Sequence, residues 1–416
     1  MNGPPPAGPG RSAPPEWYNR DAMQPTTQLT VRVDNFLLLD ELLTDEQRLT
    51  RDTVRRFVDR EVLPHAGQWW LRGEFPRHLI PRLAELGLLG ANLPAEYGAA
   101  GVDSITYGLI LQELERGDSG IRSFASVQGA LVMYPIFTFG TEAQRRRWLP
   151  PLARGELIGC FGLTEPTAGS DPGALQTRAR RTADGWELNG TKMWITNGSM
   201  AHLAIIWARD ETDEIRGFVV ETDRPGFSAH EITTKASMRV SDTSELVLEG
   251  VRVPEDALLP EAVGLRAALM CLTQARYGIA WGALGAAMAC LEEALAYART
   301  RVAFGRPIAD RQLIQARLVD MLEGLATGQL LAYRLGQLKD QGKLRYTQVS
   351  LAKRYNVRTA LQIARAARSI LGAYGITLEY HAMRHAANLE TVDTYEGTYD
   401  IHTLILGREL TGFSAF

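Results

Sequence analysis

The pattern of apolar residues changes twice along the chain, from a helical spacing to a strand-like run and back. Residues 43–152 carry apolar side chains at helical spacing, and Thr44 and Gln47 form a capping-box pattern at the first helix start. The segment Trp186–Thr196 is rich in strand formers, and the pattern from about Ala262 is helical again. This order predicts an α+β multidomain protein with a small barrel or sandwich between two helical parts.

The length of the chain also requires more than one core. A single core rarely grows past about 250–300 residues, and this chain has 416. We predict a disordered Pro-rich tail at 1–35, an α-helical domain at 36–157, a β-barrel domain at 158–261 and a C-terminal α-helical domain at 262–416.

Several classes of protein are disfavoured. The net charge of −3 and the lack of a long basic stretch argue against a nucleic-acid partner. We find no secretory signal and no apolar stretch of about 18 residues, so we expect no membrane partner and a cytoplasmic location. Cys160, Cys271 and Cys290 show no paired spacing, which fits a reducing compartment. His381 and His385 lack an evident third ligand, so no metal is predicted.

Three segments are candidates for a functional site, while dinucleotide, P-loop and nucleophile-elbow motifs are not found. Residues 161–172 mix small residues, prolines and hydroxyls, which suits close approach to a planar ligand but also an ordinary interdomain loop. Residues 193–197 offer an aromatic and a hydroxyl, yet could be a core strand. Residues 394–401 contain Glu396 between an aromatic and a glycine at a helix boundary, which makes it a candidate base.

Together these segments resemble the acyl-CoA dehydrogenase family, and most closely its glutaryl-CoA dehydrogenases. The resemblance runs from about residue 38 to 416 and rests on 114–123, 159–166, 275–282 and 394–398. It implies a helical domain, a β-barrel and a C-terminal four-helix-bundle domain, assembled as a homotetramer.

The resemblance implies FAD as cofactor. Its ring would contact the loop at 161–170 and the strand at 194–196, and its diphosphate and adenosine would lie partly against a neighbouring subunit. The implied cofactor residues are Phe161, Leu163, Thr164, Gly169, Ser170, Trp194, Ile195, Thr196, Arg301, Gln312, Ser369, Leu371, Gly372, Thr398 and Asp400.

The resemblance also implies an acyl thioester substrate and a catalytic set of four residues. Glu396 would remove the proton next to the thioester carbonyl. Arg122 would hold a distal carboxylate, with Glu115 as its acidic partner, although a structural ion pair is the alternative. Tyr395 matches the decarboxylating members. The implied substrate-binding residues are Arg122, Ser123, Ser170, Arg276 and Gly397.

The chain departs from the glutaryl-CoA pattern around the acyl pocket and the flavin edge. The departures are Ile121, Gly129, Ala130, 197–200, 239–243, 372–375 and Tyr399. Gly129 in place of a hydroxyl side chain suggests a wider pocket. An alternative is therefore a flavin decarboxylase-dehydrogenase, or a monooxygenase of the epoxyketone-forming type, acting on a bulkier peptide- or carrier-linked keto acid. The electron acceptor would be an electron-transfer flavoprotein or O2. A scaffold without chemistry is a third hypothesis, which the presence of Glu396 disfavours.

Overall fold

The computed structural model describes residues 32–415. The helices of the N-terminal part are α1 Asp45–Phe57, α2 Leu63–Arg72, α3 Ile80–Glu85, α4 Ser104–Gly117, α5 Ser119–Ser126, α6 Tyr134–Phe139 and α7 Glu142–Ala153. The central strands are β1 Gly159–Gly162, β2 Arg178–Thr182, β3 Gly185–Thr196, β4 Leu203–Arg209, β5 Ile215–Glu221, β6 Phe227–Glu231, β7 Thr243–Pro254 and β8 Leu258–Val263. The C-terminal elements are α8 Gly264–Thr300, β9 Val302–Ala303, β10 Arg306–Pro307, α9 Gln312–Asp340, α10 Tyr346–Leu371, α11 Ala382–Thr394 and α12 Tyr399–Thr411.

The N-terminal helices begin where the sequence places a cap. The Thr44 hydroxyl accepts a hydrogen bond from the Gln47 amide at 3.2 Å, and the Gln47 side chain accepts one from the Thr44 amide at 3.0 Å. This confirms the predicted capping box. The predicted tail lies mostly outside the described residues, but the structure has a 3₁₀ turn at Val33–Asn35 with Val33 and Asp34 buried.

The middle of the chain forms an eight-stranded, mainly antiparallel sheet, which confirms the predicted β domain. The strand order is β6-β7-β3-β2-β4-β5-β8, and β1 pairs in parallel with β4. Among the described strands, β6 and β8 end this hydrogen-bonded order. The pairing of β3 with β7 shifts register between Lys192 and Ile195, so two residues leave the ladder there. This bulge aims the side chains at 193–194 away from the regular sheet.

Helix α8 corrects one sequence expectation. An apolar stretch of membrane-spanning length does exist, because α8 has 37 residues and an 18-residue window with a mean hydropathy of 1.3. Within the protein, 78% of that window is buried, since α4, α9 and α10 pack around the helix. At 1.5 Å per residue, α8 is about 55 Å long. It is a buried helix in the core of the C-terminal helical part.

Candidate active site

The turn between α11 and α12 carries the predicted base. Glu396 has a φ of 53° and Gly397 a φ of 95°, so both residues lie in the left-handed region. A non-glycine residue held there costs about 1–3 kcal/mol and is often found at functional sites. The Thr398 hydroxyl caps α12 by accepting from the Ile401 amide at 3.1 Å. The turn is therefore a constrained connection between two helices, as the sequence predicted for a helix boundary.

Two buried cations hold the three carbonyl groups of this turn. The Lys353 ammonium, on α10, donates to the carbonyl oxygen of Tyr395 and, at 2.6 Å, to that of Gly397. The Arg276 Nε, on α8, donates to the carbonyl oxygen of Glu396 at 2.7 Å. Lys353 is 1% exposed and Arg276 8% exposed. Hydrogen bonds from charged donors are stronger than neutral ones, so these contacts fix the strained backbone.

The carboxylate of Glu396 itself has few partners. Its Oε2 is buried and makes no hydrogen bond to any residue within 32–415. Burial raises the pKa of Glu396, while the charges of Lys353, Arg122 and Arg276 oppose that rise. A buried carboxyl group with a raised pKa, aimed at no protein donor, is suited to accept a proton from a substrate.

Arg122 and Glu115 form a completely buried ion pair beside the turn. The Arg122 Nε donates to Glu115 Oε2 at 2.6 Å, and the side chains are 1% and 0% exposed. The Arg122 Nη2 donates to the Tyr395 hydroxyl, and Ser119 donates to Glu115 Oε1 at 2.9 Å. Burial raises the pKa of Glu115 although Arg122 opposes it. Burial acts to lower the pKa of Arg122, but Glu115 and Tyr395 outweigh it and keep the guanidinium charged.

A glycine on α8 leaves room for this pair. A Cβ at Gly282 would lie 2.2 Å from Glu115 Oε2 and 3.0 Å from Arg122 Nε. Ser123, next to the arginine, is also buried, at 2% exposed. The structure thus brings the four predicted catalytic residues together at the junction of α4, α5, α8 and the turn before α12.

A second group of predicted residues meets in the β domain. The loop after β1 is joined to the β3 bulge because the Met193 amide donates to the Thr164 carbonyl at 2.9 Å. The buried Lys192 ammonium donates to Glu165 at 2.7 Å and to the Leu163 carbonyl at 3.3 Å. Burial lowers the pKa of Lys192 to about 8, although Glu165 opposes this shift. The loop at 161–170 and the strand at 194–196 therefore form one unit.

The surface of this unit fits a planar aromatic cofactor. Trp194 has a φ of 63° and is 60% exposed, which is unusual for so large an apolar side chain. Gly169 and Ser170 are exposed, and a Cβ at Gly169 would meet no atom within 4 Å. Phe161 and Ile195 are 8% and 3% exposed, so their side chains belong to the core of the β domain. An open indole beside small exposed residues can stack on a ring.

The remaining predicted cofactor residues lie elsewhere. Arg301 follows the C-terminal end of α8, 25 residues beyond Arg276, which corresponds to about 37 Å along the helix. Gln312 and Gly372 are exposed, Leu371 is 1% exposed, and Ser369 accepts from Arg317 of α9 at 3.2 Å. Within one chain, Arg301 therefore lies far from the part of α8 that contacts the turn of Glu396 through Arg276. Asp400 is exposed in the first turn of α12.

Gly129 does not open the pocket as the sequence suggested. A Cβ at this position would lie 3.1 Å from the Cα and 3.2 Å from the backbone nitrogen of Gly90, and 3.9 Å from the Tyr107 hydroxyl. The space left by the missing side chain is thus occupied by the close approach of another backbone segment. The interpretation of Gly129 as a pocket-widening substitution was wrong, because local sequence cannot show what packs on a glycine.

Sequence reasoning missed the cations that support both groups. Lys353 and Lys192 are lone lysines in ordinary helix and strand patterns, where the usual expectation is a solvated side chain. Glu165 was visible in the loop motif, but not as the carboxylate that binds Lys192. Within residues 32–415, no three or more His, Cys, Asp or Glu side chains form a group that could hold a metal ion.

Comparisons with known proteins identify relatives along most of the chain. Family models for the N-terminal, middle and C-terminal domains of acyl-CoA dehydrogenase match residues 44–156, 160–251 and 262–411. Human mitochondrial short-chain specific acyl-CoA dehydrogenase is 36% identical over 373 residues, covering 88% of this chain and 90% of the relative.

Solved structures extend the likeness. Glutaryl-CoA dehydrogenase from Mycobacterium smegmatis is 56% identical with a TM-score of 0.91, covering 92% of this chain and 99% of that one. A second structure of a glutaryl-CoA dehydrogenase from that organism, in complex with FADH2, is 50% identical with the same TM-score and the same coverage. These matches indicate FAD as the cofactor. The chain belongs to the acyl-CoA dehydrogenase family.

Proposed function

We propose that this protein is an FAD-dependent dehydrogenase of the glutaryl-CoA type, which oxidises and decarboxylates an acyl thioester bearing a distal carboxylate. The observation that carries the proposal is the buried Arg122, bound to Glu115 and Tyr395, immediately beside the turn that holds Glu396. A buried cation fixed by an acid and a phenol is a suitable partner for a substrate carboxylate. The likeness to glutaryl-CoA dehydrogenases supports the same substrate class.

The first step is the removal of a proton. Glu396 accepts the proton from the carbon next to the thioester carbonyl. Because burial raises the pKa of Glu396, the difference between its pKa and that of the weakly acidic C–H group is smaller. Burial shields Oε2 of this carboxylate from water, while Lys353 and Arg276 bind the backbone of the turn. When bound, FAD supplies the acceptor for the hydride that leaves the β-carbon. Trp194, Thr164 and Thr196 would hold its ring, with exposed Gly169 and Ser170 at the edge.

The second step is the loss of the distal carboxylate as CO2. Arg122 binds that carboxylate until the C–C bond to it breaks, and the electron pair of the broken bond moves into the conjugated thioester. The resulting dienolate takes up one proton, and Glu396 in its acid form is placed to return the proton that it removed. Glu115 fixes the position of Arg122 by accepting from its Nε at 2.6 Å.

We further propose a homotetramer in which a neighbouring chain completes the cofactor site. Arg301 and Gln312 lie at the far end of α8 from the candidate base, so one chain is poorly placed to use both for one ring. Exposed apolar side chains near these residues support assembly: Phe304 is 97% and Leu313 78% exposed. We propose an electron-transfer flavoprotein as acceptor, with O2 as the alternative.

The test uses a matched pair of substrates under anaerobic conditions. The purified flavoprotein is titrated with glutaryl-CoA and with butyryl-CoA, while flavin absorbance and CO2 release are followed. We expect bleaching with one CO2 per flavin for glutaryl-CoA. Arg122→Met should lose reduction by glutaryl-CoA and keep reduction by butyryl-CoA. Reduction by glutaryl-CoA without CO2 would refute decarboxylation, and no reduction would refute this substrate.

The role of the base has its own variant. Glu396→Gln keeps the size of the side chain and removes the proton acceptor. We expect bound FAD and no bleaching by any acyl-CoA. Full bleaching of that variant at the wild-type rate would show that another group removes the proton.

A further inference from the structure

Lys353 stands out among the buried charged residues because it binds the turn of the base, while the proton and the hydride in the proposed reaction do not pass through its amine. It lies on α10, 43 residues before Glu396, and is 1% exposed. Its ammonium donates to the carbonyl oxygens on both sides of Glu396 and lies 5.7 Å from the centre of the Tyr395 ring. It is thus bonded to the backbone of the turn, while its charge acts on the base.

A neutral residue could fill this position at lower cost if only packing were required. Burying a charge without an ionic partner is unfavourable, and carbonyl groups compensate only in part. Burial lowers the pKa of Lys353 to about 7, and Glu396 is the charge that most opposes this decrease. Burying this amine is unfavourable, but it affects Glu396 in two ways. The amine binds the backbone on both sides of Glu396, and its positive charge acts on the carboxylate.

The backbone effect is specific to the strained conformation. Glu396 has a φ of 53°, and the carbonyl groups before and after it must point to one side for a single ammonium to reach both. Arg276 binds the middle carbonyl from α8. A relaxed, extended turn would separate the two carbonyl oxygens and lose one of the Lys353 bonds. The ammonium therefore favours the left-handed turn over its alternatives.

We propose that Lys353 is a positioning residue for the dehydrogenation step, which holds the Tyr395–Gly397 turn in its left-handed conformation and places a positive charge behind the Glu396 carboxylate. The inference rests on the proposed role of Glu396 as base. The predicted consequence is that Glu396 remains ionised over a wider pH range than its burial alone would allow.

Other groups face Glu396 and must be considered in any pH profile. They come from every helix packed around the turn, and the pair of Lys353 and Glu396 titrates as a unit with them. The groups that act on Glu396 itself are Tyr107 on α4, Arg122 on α5, Arg276 on α8 and Tyr395 in the turn. Those that act on its partner Lys353 are Asp393 on α11 and His402 on α12.

The test compares Lys353→Met and Lys353→Arg with the wild-type holoenzyme. The rate of flavin reduction by a saturating acyl-CoA is measured from pH 5.5 to 9.5 in stopped flow. We expect the acid limb of the Lys353→Met profile to move to higher pH by about one unit or more, because an opposing charge is lost. Lys353→Arg should keep the acid limb near its wild-type position, with a rate lowered by misplacement of the turn.

Lys339→Met is the matched control. Lys339 is also a buried lysine with its pKa lowered to about 8, but its ammonium has no hydrogen bond within the described chain and faces the Tyr277 ring at 4.4 Å. We expect it to alter stability and leave the profile in place. A Lys353→Met profile that superimposes on the wild-type profile would overturn the proposal.

A substrate-free measurement separates this inference from the proposed function. The infrared band of the protonated Glu396 carboxyl group, assigned by its loss in Glu396→Gln, is followed against pH in wild type and Lys353→Met. The band should persist to higher pH in Lys353→Met even if no tested acyl-CoA reduces the flavin. Identical titrations in the two proteins would refute the role of Lys353, whatever the substrate is.

Discussion

The buried pair of Arg122 and Glu115 allows a quantitative test of the site. Both side chains are almost completely excluded from solvent, and each is the ionic partner of the other at 2.6 Å. Replacing either by methionine removes the ion-pair partner of the other, whose remaining side-chain hydrogen bond is to a hydroxyl group. Removing one partner of such a pair costs about 3–5 kcal/mol, whereas replacing both by apolar residues is often nearly neutral.

The perturbation is a double-mutant cycle with Glu115→Met, Arg122→Met and the double variant. We expect each single change to lower the free energy of unfolding by about 3–5 kcal/mol. The double variant should lose much less than the sum, which gives a coupling free energy of about 3 kcal/mol. Urea unfolding at saturating FAD, followed by far-UV circular dichroism and by flavin fluorescence, measures these values and tests whether the transitions coincide.

A control variant distinguishes the effect of losing a buried ion pair on the free energy of unfolding from the effect of losing an exposed one. Arg154 and Glu156 form an ion pair in which both side chains are 56% exposed. Glu156→Met should leave the urea midpoint unchanged, because exposed pairs contribute little. If the singles in the buried pair cost less than about 1 kcal/mol each and add in the double variant, the reasoning from burial is refuted.

Three further predictions concern the surroundings of the two groups. Gly282→Ala should destabilise the fold by about 1–3 kcal/mol in thermal unfolding, because the new methyl would overlap Glu115; an unchanged melting temperature would contradict this. Lys192→Met should weaken FAD binding at least tenfold in a fluorescence titration, because Glu165 and the Leu163 carbonyl lose their donor; wild-type affinity would argue against it. Burial depresses the pKa of Lys353 from 10.5 to about 7, so the unfolded chain binds this proton more tightly than the folded protein does. The free energy of unfolding that Lys353 contributes is therefore fully present above pH 10.5 and is lost as the pH falls through about 7. The stability of wild type relative to Lys353→Met should therefore decrease from pH 10 to 7, and a constant difference in urea midpoints would contradict it.

Local sequence was sufficient for the order of elements and for the motifs. The capping box at Thr44 and Gln47 depends on residues three apart, so it could be predicted and is confirmed. The long helices α8, α9 and α10 follow from apolar spacing over 26 or more residues. Glu396 was identified from its neighbours in sequence, and the structure places it between α11 and α12 as expected.

Features that depend on distant contacts could not be predicted in this way. The apolar window in α8 is visible in the sequence and was overlooked, whereas the burial of 78% of it in the protein depends on distant contacts. Gly129 was interpreted as an opening because the sequence does not place the Gly90 backbone against it. A glycine can leave open space or allow another backbone segment to approach closely, and only the residues packed against it show which of the two occurs.

The sequence alone determined the three-part architecture, the family resemblance and the residues that carry functional groups, because these depend on periodicity and on short motifs. The tertiary structure decided how those groups are charged and held. Three carbonyl groups of the Tyr395–Gly397 turn are bound by cations that lie 43 and 120 residues away from Glu396 along the chain. Desolvation and these contacts together set the proton affinity of Glu396, and both arise only when α8 and α10 pack around the turn.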